Sequence, residues 1–285
     1  MKNLKITNIA VLITCHNRRN KTLASLDRLY VAAYSSDFEV DVYLVDDGST
    51  DGTGEAVKTK FPHVTIIQGD GQLYWSGGMR LAWEMALQRK IYNYFLWLND
   101  DTMLFDEAIS EMVNNAEQAK REDGKPALIV GSCLNTIDSQ SFSYGGRNKS
   151  GPVIPNGKLQ PCTLINGNAV LVPFEIYQIV GNISEDYTHS MGDFDYGLRV
   201  IRDGFNCYVS REFIAVCKVN DKPAWQNPKT PFMKRWKLLH SPKGLNIIEY
   251  NKFRKKFWGN EWILFALKAY LKTLFPGPYN KLSKK

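Results

Sequence analysis

Asn99, Asp100 and Asp101 stand where an apolar run ends, in "YFLWLNDDTMLF" (94–105). Adjacent carboxylates repel each other and are costly to desolvate. Two of them at the end of a core strand therefore call for a partner of opposite charge. Paired carboxylates are hard oxygen ligands suited to Mg2+ or Mn2+, which keep waters and complete their shell with substrate phosphates. Three other chemically useful sets also follow apolar runs. Cys15, His16, Asn17 and Arg18 follow "AVLIT", "DDGSTD" (46–51) follows "VYLV", and "QGDGQLYWSGGMR" (68–80) follows "VTII". In open α/β sheets, ligands bind beyond the carboxyl ends of the strands. Four such sets at one sheet edge make that edge the expected site.

Each set has a simpler reading when taken alone. "DDGSTD" also suits a turn with Thr50 or Asp51 as a helix cap. "WSGGMR" suits a tight turn whose glycines serve packing. It does not match G-x-G-x-x-G, and no acidic ribose partner is evident, which argues against a nicotinamide site. "NDDT" suits a cap for the following helix, although a cap needs only one acid.

The elements that must position these sets are legible in the periodicity. "IAVLIT" (9–14), "VDVYLVD" (40–46), "VTII" (64–67) and "YFLWL" (94–98) read as strands. "RRNKTLASLDRLYVAA", "TGEAVKTKF" and "GGMRLAWEMALQRK" read as the helices between them, and a further helix is expected at about 106–121. The alternation predicts an α/β fold with a mostly parallel sheet covered on both faces. "ALIVGS" and "LINGNAVLVP" read as further strands, with Gly-, Pro- and Ser-rich loops between about 132 and 164. "DFDYGLRVIRDG" has helical spacing ended by Gly204.

Composition narrows the class. The chain has 285 residues with 44% hydrophobic and 23% charged content, enough for one large domain with an appendage. Five scattered cysteines without a C-x-x-C pair argue for reduced thiols, and against a disulfide framework or a zinc site. The N-terminal segment "MKNLKITNIAVLITCHN" is too polar for a signal peptide, and no run of about 18 apolar residues predicts a span. A cytoplasmic protein is expected, with peripheral contact to the inner face of the cell membrane through its tail. Of 36 basic and 29 acidic residues, 16 and 3 fall from Lys218 onward, leaving 20 and 26 before it. An acidic body fits metal–nucleotide binding better than a nucleic-acid backbone.

"TCHNR", "VDDGSTDGT", "GGMR" and "LNDDT", in this order and spacing, resemble family 2 glycosyltransferases of the GT-A fold. "GDFDYGLR" extends the resemblance to about Phe205, since it looks like the segment carrying that family's general base. The resemblance implies a sugar transferred from a nucleoside-diphosphate-sugar to a hydroxyl of a glycan or lipid-linked saccharide, with inversion and with Mn2+ or Mg2+. The "DYGLR" form resembles enzymes building bacterial cell-surface polysaccharides, including rhamnosyltransferase-like members. It further implies that Thr14, Asn17 and Arg18 line the nucleotide pocket, and that Asp46 binds the base with Asp47 and Ser49 completing that loop. Gly77, Gly78 and Arg80 match a segment near ribose and diphosphate. Asn99-Asp100-Asp101 matches the D-x-D motif, with Asp101 as metal ligand and Asp100 facing ribose or sugar. Asn99 departs from the pattern by replacing the first Asp, although its amide oxygen could still serve. Asp193 matches the base, and Gly192 stands where Glu is frequent, which leaves the role to Asp193 or Asp195. Asp195 and Arg199 are four apart on the expected helix and could simply pair. His189 is a candidate acceptor or phosphate contact, and His240 a candidate metal or diphosphate contact in a C-terminal lid.

The expected organisation is a catalytic domain at 1–217, with nucleotide-sugar binding up to about 105 and the acceptor side at 106–217. An extension at 218–285 follows, rich in Lys, Arg and aromatics. It suits either a packed helix or an interfacial segment on anionic lipid. Two other functions fit parts of the pattern. A nucleotidyltransferase would want a glycine-rich basic loop after the first strand, where this chain has "TCHNR". A catalytically silent sugar-nucleotide-binding protein would not need both Asp101 and Asp193.

Overall fold

The computed structural model describes residues 7–139, 141–221 and 223–282. Residues 1–6, which begin the polar N-terminal segment discussed above, lie outside the described residues, as do the last three lysine- and serine-bearing positions of the tail. The first half is strand–helix alternation: β1 (Asn8–Cys15), α1 (Arg19–Tyr34), β2 (Glu39–Asp46), α2 (Thr53–Lys60), β3 (Thr65–Gln68), α3 (Tyr74–Arg89) and β4 (Tyr94–Leu98). Then come β5 (Met103–Leu104), α4 (Ala108–Asp123) and β6 (Ala127–Leu134). A small hairpin follows, of β7 (Arg147–Asn148) and β8 (Gly151–Pro152), and then β9 (Gln160–Pro161). β10 (Ala169–Pro173), α5 (Phe174–Val180), α6 (Gly192–Arg202) and β11 (Asn206–Val216) complete the body. α7 (Phe232–Leu239), α8 (Ile247–Trp258), α9 (Trp262–Leu274) and α10 (Pro276–Leu282) form the extension.

The central sheet runs β3-β2-β1-β4-β10-β6-β11-β5, with β9 paired beside β11. β3, β2, β1 and β4 are parallel, as are β6 and β11, while β10 runs antiparallel between β4 and β6. The fold is therefore the mostly parallel, helix-flanked sheet of the GT-A type. Ile9 to Ile13 are completely buried, the signature of a central strand covered on both faces. On one face, Leu26 and Leu29 of α1 and Met112 of α4 pack on the strands. On the other, Trp83 of α3 meets Trp97 of β4 at 5.6 Å, and Trp97 meets Tyr196 of α6 at 5.0 Å, both edge-to-face. Such aromatic pairs add about 0.5–1.5 kcal/mol each beyond their buried area.

Two sequence expectations shift. "LINGNAVLVP" is a strand only from Ala169, because Gly167 and Asn168 form a turn before it. "WSGGMR" lies inside α3 instead of preceding it. The helix can carry Gly78 because its hydrogen touches Thr14 at the end of β1. A Cβ there would collide with the Thr14 side chain.

The extension has its own small core of Trp225, Leu239, Ile247 and Ala269. It is tied to the body by Glu249, which accepts from the Thr188 backbone N–H and hydroxyl at 3.1 and 2.8 Å, and by Lys256, which pairs with Asp195 at 2.6 Å.

Candidate active site

A cavity of about 660 Å3 opens at the carboxyl ends of β1, β2 and β4, lined by Thr14, His16, Arg18, Asp47, Trp75 and the Asn99-Asp100-Asp101 run, among others. Asn168, His189, Asn220 and Lys243 also line it, so both the body and the extension contribute. The strand edge that the sequence singled out is the edge that holds it.

The acidic pair has a partner inside the protein. Arg18 Nη1 donates to Asp100 Oδ1 and Asp101 Oδ2, both at 2.9 Å, and Lys21 Nζ stands 3.7 Å from Asp101. Asp100 is nearly fully buried. Burial pushes its carboxyl up to about 6, with Arg18 pulling against that shift and Asp101 adding to it. The two carboxylates thus offer hard oxygens and carry charge that only cations relieve. This donor set fits a Mn2+ or Mg2+ ion completed by water and phosphate oxygen. Among the described residues, no three His, Cys, Asp or Glu side chains cluster as a metal-binding group.

Asn99 is engaged elsewhere. Its Oδ1 accepts the Trp75 indole N–H at 2.7 Å, which corrects the expectation of an amide oxygen left free for a cation. The Trp75 ring lies edge-on to Trp97 at 5.9 Å and presses on Gly167, where a Cβ would run into it.

The loop after β2 works mainly on its neighbours. Asp47 Oδ1 accepts from the backbone N–H of Gly71 and Leu73 at 2.8 and 3.3 Å, and its Oδ2 from that of Tyr74 at 2.8 Å. One carboxylate thereby fixes the glycine-punctuated entry to α3, including Tyr74 at φ +52°. Asp46 is buried behind the cavity wall and accepts from Ser49 N–H at 3.0 Å. Asn17, also at positive φ, accepts from Thr50 N–H at 2.7 Å, and its own N–H donates to Ser49 Oγ at 2.9 Å. The loops after β1 and β2 are thus laced together. Asp46, Asn17 and Ser49 do not themselves line the cavity.

Gly77 and Arg80, expected near ribose and diphosphate, face another way. The N–H groups of Ser76 and Gly77, at the start of α3, both point to the Thr188 carbonyl, at 2.9 and 3.4 Å. Arg80 Nη1 donates to the carbonyls of Ser184 and Tyr187 at 2.9 and 3.0 Å. These groups hold the 184–188 loop.

The two acids of α6 are separated by environment. Asp195 is fully buried, paired with Arg199 at 2.7 Å and Lys256 at 2.6 Å, and accepts from Tyr187 Oη at 3.2 Å. That placement corrects its candidacy as a base, because both oxygens are held by cationic side chains in a fully buried site. Asp193 keeps part of its surface open. Its Oδ2 accepts from Gly167 N–H at 3.1 Å and its Oδ1 from Phe194 N–H at 2.8 Å. Burial lifts its carboxyl to about 6, against the lowering effect of those hydrogen bonds. It stands behind the cavity wall, joined to it through Gly167 and the lining residue Asn168. His189 lines the cavity, and burial together with the charges of Arg18 and Lys243 lowers its pKa.

His240 is a correction. It caps α7, donates from Nδ1 to the Trp236 carbonyl at 2.9 Å, and lies tilted against the Trp236 ring at 4.9 Å, outside the cavity lining. The extension sends Lys243 instead. Sequence reasoning also missed Trp75, Tyr144, Asn168 and Asn220. Of these, only Trp75 carried a signal, as an aromatic within a glycine-rich segment.

The comparisons with known proteins follow this geometry. Residues 10–147 match the glycosyl transferase family 2 profile. No curated protein matches the chain. Among solved structures, residues 1–349 of S. aureus TarS align with TM-score 0.55 at 14% identity, over 95% of this chain and 80% of that one. The mannosyltransferase PcManGT from Pyrobaculum calidifontis, in complex with GDP-Man and Mn2+, aligns with TM-score 0.54 at 15% identity, over 99% and 79%. TarS has also been solved with UDP-GlcNAc, and that structure aligns equally well, at TM-score 0.55 and 14% identity, over 94% of this chain and 80% of that one. The profile match covers the strands that carry the acidic pair and the loops bordering the cavity; over residues 10–147 the chain is similar to glycosyl transferase family 2, and its fold is of the GT-A type.

Proposed function

We propose that the chain transfers a sugar from a nucleoside-diphosphate-sugar to a hydroxyl of a glycan or lipid-linked saccharide, with inversion, in cell-surface polysaccharide synthesis. Asp193 carries this reading. It is a partly open carboxylate lifted to about 6, held by the Gly167–Asn168 loop that borders the cavity carrying the acidic pair. A base is most effective when its pKa lies near the working pH. In the proposed step, Asp193 accepts the proton of the acceptor hydroxyl as its oxygen attacks the anomeric carbon. The bond from that carbon to the diphosphate oxygen breaks, and the nucleoside diphosphate leaves on the opposite side. Arg18 and Lys243 are the cavity cations placed to meet the diphosphate charge. A divalent ion bound at Asp101 and Asp100 would act as Lewis acid toward the leaving diphosphate.

The neighbours solved with UDP-GlcNAc, and with GDP-Man and Mn2+, support a nucleotide-sugar donor and a metal. The direct test incubates the protein with a panel of nucleotide sugars, with and without Mn2+, and reads both thermal stabilisation and product. Release of nucleoside diphosphate supports sugar transfer. Release of pyrophosphate in a parallel incubation with nucleoside triphosphates and sugar 1-phosphates would instead make the chain a nucleotidyltransferase, and donor binding with neither release would make it a silent binding protein.

A further inference from the structure

The extension carries a second cavity, of about 260 Å3, lined by Trp225, Tyr250, Arg254, Phe265, Lys268 and Lys272, among others. Three cations and no acid line it. The Arg254 guanidinium lies 4.1 Å from the Phe265 ring centre and 4.5 Å from that of Trp258, and its Nε is buried without a hydrogen-bond partner. Ring faces compensate part of a guanidinium charge, but they leave the N–H itself unmet.

The helix that supplies Phe265, Lys268 and Lys272 has a second unusual face. Ile263, Leu264, Leu267, Leu271 and Leu274 of α9 are 40–58% exposed, and Phe275 just beyond it is 59% exposed. At about 100° per residue these five fall within an arc of roughly 100°. Lys268 and Lys272 follow that arc on one side, about 40° and 80° beyond it, and Ala266, Ala269 and Thr273 fill the buried side. An apolar stripe edged by lysines is the pattern of a helix lying in a bilayer interface. No helix of the described residues is long and apolar enough to cross a membrane.

We propose that α9 seats the protein on an anionic phospholipid surface, with its leucine stripe among the acyl chains and a lipid phosphate in the cavity formed by Arg254, Lys268 and Lys272. Charge decides the occupant. From Lys218 onward 16 basic residues face 3 acidic ones, which opposes a second copy of the same surface and favours a negatively charged partner. This proposal does not depend on the sugar-transfer reading, and its failure would leave that reading intact.

Co-sedimentation of the full chain with vesicles is the test, using phosphatidylglycerol mixed with phosphatidylcholine against phosphatidylcholine alone. Binding is expected only to the anionic vesicles, and it should weaken with salt. Each basic residue near such a surface contributes about fivefold in partitioning. Lys268→Gln with Lys272→Gln should therefore reduce binding about 25-fold. Leu267→Ser with Leu271→Ser, at exposed positions that spare the fold, should also release the protein. Full binding by both double variants, or equal binding to neutral vesicles, would overturn the proposal. So would stabilisation by inorganic phosphate that depends on Lys268 and Lys272 in a protein that ignores vesicles, because the cavity would then serve a soluble anion.

Discussion

Trp75 donates its indole N–H to Asn99 Oδ1 at 2.7 Å. The same ring presses on Gly167, whose backbone N–H donates to Asp193. One side chain thereby touches both the strand-end motif and the loop holding the proposed base. Asn at position 99 suits this role, since it accepts the indole N–H without adding a third negative charge beside Asp100 and Asp101. Trp75→Phe keeps most of the ring and removes the donor. It should lower kcat about tenfold with little change in donor KM, measured by nucleoside diphosphate release. An unchanged kcat would mean that Trp75 only fills space.

Asp193→Asn should abolish turnover, at least 100-fold, while donor binding persists in thermal-shift titrations. It should also stabilise the protein. The folded carboxyl binds its proton more tightly than an ordinary Asp at 3.8, because burial raises it to about 6. Between about pH 4 and 6 the folded state therefore loses stability as pH rises, and the loss is complete above that range. Removing the ionisable group should raise the Tm at pH 7.5 by a few °C, with no gain at pH 3.5. An equal gain at both pH values would rule out this linkage.

The same carboxyl, as the proposed base, should set the acid limb of activity. kcat/KM should fall as pH drops through about 6, because the protonated acid cannot accept the acceptor proton. A rate profile in which this limb survives Asp193→Asn would assign it to another group.

Asp195→Asn should behave in the opposite way to Asp193→Asn. It leaves Arg199 and Lys256 facing a neutral group in a buried site. Breaking a buried pair from one side costs about 3–5 kcal/mol. A marked fall in the chemical-denaturation midpoint is expected, together with loosening of the extension tied down by Lys256. A stable, inactive Asp195→Asn protein would return the catalytic role to this residue.

Arg18 and a divalent cation should compete for the same carboxylate oxygens. Arg18→Ala should therefore tighten Mn2+ binding in the absence of donor, by about tenfold, while weakening nucleoside-diphosphate binding. Thermal-shift titration reads both. A weaker Mn2+ response in this variant would show that Arg18 supports the seat instead of occupying it.

The sequence by itself determined the site's location and much of the frame. Ile9 to Ile13, Val42 to Val45 and Phe95 to Leu98 are buried apolar runs, and a strand hidden on both faces can only be written that way. Their polar exits necessarily meet at one edge, so the cavity was legible before any side chain was placed. Antiparallel β10 was not, because strand direction depends on which neighbours a segment finds in space. Nor were the roles within the set. Asp46, Asp47, Gly77 and Arg80 stand in the expected order, yet tertiary contacts commit them to backbone groups of adjoining loops. Asp193 and Asp195 are two residues apart and chemically identical on paper. Only the fold, by setting Lys256 and Arg199 against one and leaving the other beside Gly167, gave them different surroundings. His240 and Lys243 make the same point, since three positions across a helix end determine which of them reaches the cavity. A residue's type is local information, but its desolvation and its partners depend on segments a hundred positions away.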